Sequence, residues 1–311
     1  MTKNEPGIND NEESFFKIQA DIEAFEKDAA LYEEQNFDNR LDAIDFLEFH
    51  IIDHIESLIK KAAQPDQLIL LMQRAENIKL ALEAIDNNMF KKLRAHIRSN
   101  GCTGEQFKKL LGKYIDFNAH GSDHEEAGYD NLDIFINGLL SPLTIPEQTT
   151  ALEPEMVFYQ KTPARIIFEL VEMAFITKDD VFFDLGSGLG QASILVNLLA
   201  GAKAVGVEFE PAFCSYAGGC AVQLNLPNVS FINADARQAD YSDGTVFLMY
   251  TPFNGEILQD VLAVLRKESL TRKIKIITYG PCTAQVASEG WLDITVSNND
   301  NIYKPAVFTS I

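Results

Sequence analysis

The chain has 311 residues, of which 46% are hydrophobic, and a formal net charge of −20 at neutral pH. This length and composition are typical of a globular protein of about two domains, and no apolar run is long enough to span a membrane. The negative charge disfavours nucleic acid as a partner, because a phosphate backbone repels an acidic protein, and it suits a basic protein instead.

The cysteines and the first residues of the sequence predict the compartment. The stretch MTKNEPGINDNEES is polar and acidic and lacks the apolar core of a secretory signal. None of the four cysteines belongs to a CxxC pair, so we expect free thiols rather than disulfides or a zinc site. His50 and His54 share a helix face, but no third ligand accompanies them, and no metal is expected. These features predict a cytoplasmic protein.

Apolar residues recur at three- and four-residue spacing in three stretches of the N-terminal region, within residues 15–29, 41–58 and 68–97. Each stretch predicts an amphipathic helix. Pro65 precedes the third stretch and Asn100-Gly101 follows it, as is common at helix ends. Three successive helices predict a small bundle, which we assign as a helical domain of residues 1–115.

Residues 116–156 are mostly polar and rich in turn-forming residues, and SPLTIPEQTTALEPE contains three prolines. An apolar stretch from Tyr129 to Leu140 predicts one short helix within them. We interpret this region as a connector that also wraps the next domain.

Strand-like and helical patterns alternate in the last domain, residues 157–311. Such alternation predicts a parallel sheet with helices on both faces. The last two strands are separated by so short a loop that they can pair only antiparallel. The predicted fold is therefore α/β: a doubly wound, mostly parallel seven-stranded sheet with an antiparallel edge hairpin, preceded by an all-helical domain. The predicted strands are VFFDL (181–185), AVGVE (204–208), VSFI (229–232), TVFLMY (245–250), KIKIIT (273–278), LDITVS (292–297) and AVFTSI (306–311).

A glycine-rich motif follows the first of these strands and opens a helix. It reads Asp184-Leu-Gly186-Ser187-Gly188-Leu-Gly190-Gln191. Glycines let the backbone turn sharply and approach a ligand closely. In the dinucleotide-binding motif GxGxxG the third glycine stands three residues after the second, whereas here it comes after two and Gln191 takes its place. With an acid ahead of the glycines, this spacing favours S-adenosylmethionine over NAD as the cofactor.

Acids also stand at the end of the second strand and just after the third. Glu208 stands 22 residues after Gly186, near the interval of about 20 expected for a ribose-binding acid. Asp235-Ala236 follows the third strand, where the carboxylate would accept from the adenine amino group and a backbone N–H would meet a ring nitrogen. An ordinary solvated side chain at Glu208 and a helix cap at Asp235 are the structural alternatives.

Two further segments are candidates for the same site. In Tyr159-Gln-Lys-Thr162-Pro163, Thr162 is a predicted N-cap and Pro163 fits the first helical turn, so the segment would meet the carboxylate of the cofactor's methionine part. Thr251-Pro252-Phe253-Asn254 follows the fourth strand and would lie near the transferred methyl group, because ligands of open α/β sheets bind beyond the carboxyl ends of the strands. A cap without a ligand and a simple turn are the alternatives.

These motifs resemble a known family. DLGSGLGQ followed by GVE resembles the non-SET histone-lysine methyltransferase family, and YQKTPAR before the first strand is similar to its bacterial relatives. The resemblance implies the class I methyltransferase fold. It departs at Thr251-Pro252-Phe253, where the eukaryotic enzymes have an Asn-Asn-Phe-type segment. The residues that it implies around the cofactor are Asp184, Gly186, Ser187, Gly188, Gly190 and Gln191, with Glu208 at the ribose, Asp235 at the adenine, and Tyr159 and Thr162 over the methionine end.

We therefore predict a methyltransferase that uses S-adenosylmethionine. The methyl acceptor is unidentified, and a lysine-like amine of a basic protein is favoured by the acidic charge and by the resemblance. A small-molecule acceptor is the alternative. A non-catalytic module that binds the cofactor and recruits partners through its helices is a third interpretation.

Overall fold

The computed structural model describes residues 8–61, 64–117, 129–141, 143–296, 301 and 304–311. Contacts between residues divide the chain into two compact units: Met1–Lys92 with Lys113–Ile115, and Leu93–Gly112 with Asp116–Ile311. The sequence places domain boundaries at residues 115 and 156, whereas the contacts group 93–112 with the second unit. The division into three segments stays a prediction. None of the helices in the described ranges combines the length and the apolar character that crossing a membrane requires.

The first unit is helical, as the apolar spacing predicts. Its core is built mainly of side chains from the three predicted stretches, among them Ile22, Leu47 and Leu82, all fully buried, and also includes Leu31. The fully buried guanidinium of Arg40 donates to the carbonyls of Leu31, Glu33 and Glu34 and to Asp86, which satisfies it inside this core. The elements are α1 (Ile8–Lys27), a 3₁₀ turn (Ala29–Tyr32), α2 (Phe37–Asp45), a π-helical segment (Phe46–Ile52), α3 (Asp53–Ile59) and α4 (Asp66–Asn100), of which residues up to Lys92 group with this unit.

The second unit is built on a seven-stranded sheet of order β3-β2-β1-β4-β5-β7-β6. Strands β1 to β5 are parallel, and β7 pairs antiparallel with both β5 and β6. This confirms the predicted mostly parallel sheet with an antiparallel edge hairpin; residue 297 of the sixth predicted strand lies outside the described ranges. The strands are β1 (Val181–Leu185), β2 (Lys203–Glu208), β3 (Val229–Asn233), β4 (Val246–Met249), β5 (Lys275–Thr278), β6 (Leu292–Val296) and β7 (Ala306–Ser310).

Seven helices belong to the described part of this unit besides the end of α4. The sequence shows no clear period for α5 and α11, because helices of one or two turns carry too few residues for a stripe. The bounds are α5 (Glu105–Leu111), α6 (Asn131–Leu140), α7 (Ala164–Met173), α8 (Gln191–Ala200), α9 (Pro211–Leu224), α10 (Gly255–Ser269) and α11 (Cys282–Ala287).

The central strands of the sheet are continuous apolar runs because helices cover them on both faces. Phe183 on β1 and Phe247 on β4 are buried with their ring centroids 5.6 Å apart, and the ring of Tyr241 packs edge-on against both. Strand order reverses between β1 and β4. The chain proceeds from β1 to β2 and β3 on one side and from β4 to β5 on the other, so the loops after β1 and β4 lead to opposite sides and leave a crevice beyond the carboxyl ends of the strands.

Candidate functional site

A cavity of about 560 Å³ lies at the carboxyl ends of β1 to β5. Pockets for small ligands and cofactors measure about 300–1,000 Å³. Its walls come from the loops after all five strands, from the end of the connector, residues 148–156, and from residues 157–162, which follow it. The predicted site residues in its lining are Tyr159, Thr162, Asp184, Gly186, Ser187, Gln191, Glu208, Asp235, Ala236, Thr251, Pro252, Phe253 and Asn254.

The loop after β1 turns through glycines with positive φ, at 79° for Gly186, 52° for Gly188 and 80° for Gly190. A Cβ placed on Gly186 would stand 2.4 Å from Cβ of Pro252, and one on Gly190 would stand 2.6 Å from Cβ of Ala217. Side chains are therefore excluded by both conformation and space. Gly188 and Gly190 are outside the cavity lining. They allow neighbouring side chains to pack closely against the loop, Tyr159 on Gly188 and Ala217 on Gly190.

Two buried carboxyl groups flank the glycine loop. Asp184 accepts from the hydroxyl of Ser193 at 3.3 Å, and burial raises its pKa to about 7. Glu208 accepts from the backbone N–H of Gly188 at 2.6 Å with one oxygen and from that of Glu210 at 2.8 Å with the other. Burial raises the pKa of Glu208 as well. Each Glu208 oxygen keeps acceptor capacity toward the cavity, since a carboxylate accepts about four hydrogen bonds.

Asp235 is held by a side chain that the sequence interpretation did not select. Arg237 binds both of its oxygens, with Nε at 3.0 and 3.1 Å and Nη2 at 2.6 Å, and also donates its backbone N–H at 2.8 Å. This guanidinium holds the pKa of Asp235 below its usual range. No helix follows Asp235, so the helix-cap alternative is excluded. Arg237 also reaches Glu153 of the connector at 2.8 Å.

Tyr159 lies on the glycine loop. A Cβ placed on Gly188 would stand 2.1 Å from Cε2 of Tyr159, so the ring rests directly on that glycine. Its centroid is 5.6 Å from that of Phe213 on α9. Burial raises the pKa of Tyr159, which keeps the phenol protonated at neutral pH. The segment that follows the connector thus covers the loop at this point.

The predicted cap at Thr162 is wrong in detail. The helix begins at Ala164 with Pro163 in the N-cap position, and the Ala164 N–H is bound at 2.7 Å by the carboxylate of Asp133 on α6. Pro163 has no side-chain acceptor, so a carboxylate from another helix accepts the hydrogen bond of this first amide of α7. The carbonyl of Thr162 instead accepts from Nε2 of Gln191 at 3.3 Å.

The loop after β4 packs between the glycine loop and the connector. Thr251 has φ of 39°, rare for a β-branched residue, and its hydroxyl donates to the carbonyl of Tyr279 at 3.1 Å. Pro252 rests on Gly186. Phe253 is buried and pairs with Met156 in an isolated antiparallel bridge, and Asn254 occupies the N-cap position of α10.

Two tyrosines missed by sequence reasoning lie at the same end of the cavity. Tyr250 and Tyr279 directly follow β4 and β5, which pair in register through Met249 and Thr278. Their ring centroids are 4.7 Å apart, and the Tyr250 hydroxyl donates to Oε1 of Gln160 at 3.4 Å. An aromatic residue directly after each of two neighbouring strands was the signal that could have identified the pair.

Residues 155–303 match the family model of the histone methylation protein DOT1. The matched range contains β1 to β6, the glycine motif and the four acids that line the cavity: Asp184, Glu208, Glu210 and Asp235. This chain is an S-adenosylmethionine-dependent methyltransferase. None of the curated proteins matches the methyltransferase in sequence.

Solved structures of other methyltransferases are similar to about half of the chain at low sequence identity. An RNA methyltransferase from Salinibacter ruber in complex with S-adenosyl-L-homocysteine is 23% identical, covering 49% of this chain and 92% of its own, with a TM-score of 0.40. The precorrin-6y C5,15-methyltransferase of Geobacter metallireducens GS-15 is 16% identical, covering 50% and 93%, with a TM-score of 0.38. A dimethyladenosine transferase from Plasmodium falciparum is 12% identical, covering 47% and 60%, with a TM-score of 0.37.

The buried polar atoms of the site fit the cofactor of this methyltransferase. Within the described residues, Ser187 Oγ and Gln191 Oε1 are buried without a hydrogen-bond partner. Gln191 lines the cavity at the start of α8. A buried acceptor without a partner costs about 1–3 kcal/mol unless a ligand supplies the donor. The ammonium group of S-adenosylmethionine is such a donor, so the chemistry of this wall suits the methionine end of the cofactor.

Proposed function

We propose that this methyltransferase transfers the methyl group to an amine of a protein, of the lysine type, which enters between Tyr250 and residues 157–162. The family match favours a protein acceptor. The observation that carries the proposal is the separation of charge in the cavity. All four acids of the lining lie on or just after β1, β2 or β3, whereas the lining residues after β4 and β5 carry no charge.

The acidic half of the cavity suits the cofactor. In this proposal Glu208 accepts from the ribose hydroxyls and Asp235 from the adenine amino group, with the backbone of Ala236 beside the ring. The loop Gly186-Ser187 lets the cofactor approach the end of β1. Asp184 and Gln191 face the ammonium of the methionine part, which Tyr159 and Thr162 cover. Gly188 and Gly190 hold the loop in shape.

The uncharged half suits an amine. An ammonium ion that leaves water for apolar surroundings without a counter-ion has a lowered pKa, so the amine binds in its neutral, nucleophilic form and its proton passes to solvent. Aromatic faces such as those of Tyr250 and Tyr279 attract the positive charge that develops on nitrogen during transfer. Burial raises the pKa of Tyr250, so its phenol stays protonated and does not take a proton from the amine. The transfer itself requires no general base, because the amine already binds in its neutral form.

S-adenosylmethionine supplies an activated methyl group on a sulfonium, and the chain supplies alignment. Thr251, Pro252, Phe253 and Asn254 form the side of the uncharged half that is next to the glycine loop, because Pro252 rests on Gly186 while the Thr251 hydroxyl donates to the Tyr279 carbonyl. This side would hold the acceptor nitrogen against the end of the glycine loop.

Labelled methyl transfer tests the acceptor. The protein is incubated with a cell extract and S-adenosylmethionine that carries a labelled methyl group, and the products are digested with protease or nuclease. We expect label in a protease-sensitive fraction that yields methylated lysine on acid hydrolysis. Label in nuclease-sensitive or small-molecule fractions would refute the protein-amine acceptor, and label in none would favour the non-catalytic module. The Gly188→Arg variant is the control, because its side chain collides with Tyr159.

A further inference from the structure

Residues 153–157, where the connector ends, contact the loops that border both halves of the cavity. At one end, Glu153 pairs with Arg237, which holds Asp235. At the other end, the Val157 N–H donates to the Pro252 carbonyl at 3.1 Å, and the Asn254 N–H donates to the Glu155 carbonyl at 2.9 Å. We call these five residues the strap. A strap this short cannot shift at one end without moving the other.

The acceptor end of the strap also supports a helix. The Glu155 carboxylate accepts from the N–H of Ile257 at 2.9 Å, in the first turn of α10, where Asn254 provides no side-chain cap. A Cβ placed on Gly255 would stand 2.2 Å from Oε1 of Glu155. Glu155 thereby satisfies an amide that the helix leaves free and fixes where α10 begins.

Arg237 determines the direction in which Asp235 can accept. Its Nε and backbone N–H occupy Oδ1, while Nη2 occupies Oδ2 at 2.6 Å and Nε reaches it at 3.1 Å. A carboxylate offers about four acceptor directions, so these three N–H groups leave at most one for a ligand. Without the planar guanidinium, the carboxylate could rotate and accept from water instead.

We propose that Arg237 is a positioning residue: it aims Asp235 at the adenine amino group and, through Glu153 and the strap, couples cofactor binding to the ordering of the loop after β4. This inference rests on the proposed function, in which Asp235 faces the adenine. The coupling is reciprocal, since a ligand that orders the strap binds better when the strap is already ordered.

Calorimetry with two ligands tests the aiming. S-adenosylhomocysteine carries the adenine amino group, and S-inosylhomocysteine carries a carbonyl oxygen in its place. The wild type should prefer the amino compound, because a carboxylate repels the carbonyl oxygen. In Arg237→Gln, affinity for S-adenosylhomocysteine should fall about tenfold while affinity for the inosyl compound changes little, so the preference shrinks. Arg237→Lys keeps the charge without the planar fork and should lose most of the preference too.

Hydrogen exchange tests the coupling. In the wild type, S-adenosylhomocysteine should slow exchange at the amides of Val157, Asn254 and Ile257. Glu153→Ala leaves Arg237 on Asp235 but removes the acceptor that links it to the strap, so the ligand preference should persist while the added protection is lost. Arg74→Gln is the matched control, since Arg74 makes a comparable two-bonded pair with Glu26 in the first unit.

The outcomes separate the two proposals. Failure of the wild type to bind S-adenosylhomocysteine refutes the proposed function. Normal binding by the wild type, with an unchanged ligand preference in both Arg237 variants, refutes the aiming alone. Ligand-induced protection that survives in Glu153→Ala refutes the coupling. The melting temperature of each variant is compared with that of the wild type to show that it is folded. If Arg237→Gln does not fold, Arg237→Lys provides the test.

Discussion

Gly186 is the residue at which the glycine loop and the loop after β4 meet. Its φ is 79°, and a Cβ placed on it would stand only 2.4 Å from Cβ of Pro252, so there is no space for a methyl group. The rigid proline ring cannot turn aside as a long side chain would. The close approach of these two loops therefore depends on a glycine at this position.

We expect Gly186→Ala to lower the free energy of unfolding by about 1–3 kcal/mol, because alanine is strained at positive φ and must displace Pro252. Affinity for S-adenosylhomocysteine should fall with it. Urea unfolding and calorimetry measure the two effects. Gly218→Ala is the control: this glycine lies inside α9, a Cβ placed on it would meet nothing within 4 Å, and alanine there should be neutral or stabilising. Equal effects of both substitutions would contradict the packing argument.

Asp184 makes stability depend on pH. Burial raises its pKa from 3.8 to about 7, so between these values the folded state binds more protons than the unfolded state. Its contribution therefore makes the free energy of unfolding fall as pH rises from about 4 to 7, by at most about 1.4 kcal/mol per unit. Asp184→Asn has no such titration. Its free energy of unfolding, measured in urea, should therefore rise relative to that of the wild type as pH increases from about 4 to 7. A constant difference between pH 4.5 and 7.5 would show that Asp184 titrates normally.

At the scale of elements, side chains beside the sheet hold the connector in place, and Glu210 is one of them. Its carboxylate accepts from the Ala212 N–H of α9, from the N–H and hydroxyl of Thr149, and from the N–H of Thr150. These bonds lower the pKa of Glu210 to about 2. One side chain thus caps a helix and holds the chain that covers the cavity.

Glu210→Gln should loosen the connector, because an amide has a single acceptor oxygen in place of two charged ones. Limited proteolysis should then cut residues 143–157 faster than in the wild type. The wild type itself should show this loosening only in acid, since a lowered pKa gives stability that is present above about 4.5 and lost as pH falls toward 2. Glu147→Gln changes an exposed acid of the same segment and should leave cleavage unchanged.

Elements whose signal is local could be predicted from the sequence. The parallel strands are apolar runs such as VFFDL, because both of their faces are buried, and the glycine motif identifies the turn after β1. Pairings between distant residues could not be predicted. Arg237 meets Glu153 across 84 positions, and the Ala164 N–H is bound by Asp133 from 31 positions earlier. Nothing in the local spacing of acids and bases shows which of them will meet.

The whole molecule carries a net charge of −20, which acts at longer range than any one contact. Such a field attracts a basic protein and raises its rate of encounter, and dissolved salt screens it over about 8–10 Å. The cofactor carries little net charge and binds in a buried cavity, where screening is weaker. Salt should therefore separate the binding of the acceptor from the binding of the cofactor.

We expect the KM for a basic protein acceptor to rise about tenfold between 50 and 300 mM salt, with kcat nearly constant, because screening slows the encounter and leaves the aligned complex unchanged. The Kd for S-adenosylhomocysteine, measured by calorimetry in the same buffers, should change far less and serves as the control. A KM that does not change with salt concentration would mean that the acceptor is recognised only by the uncharged half of the cavity, at Tyr250 and Tyr279. A parallel rise of both constants would instead point to a salt effect on the fold, which melting temperatures in the two buffers would reveal.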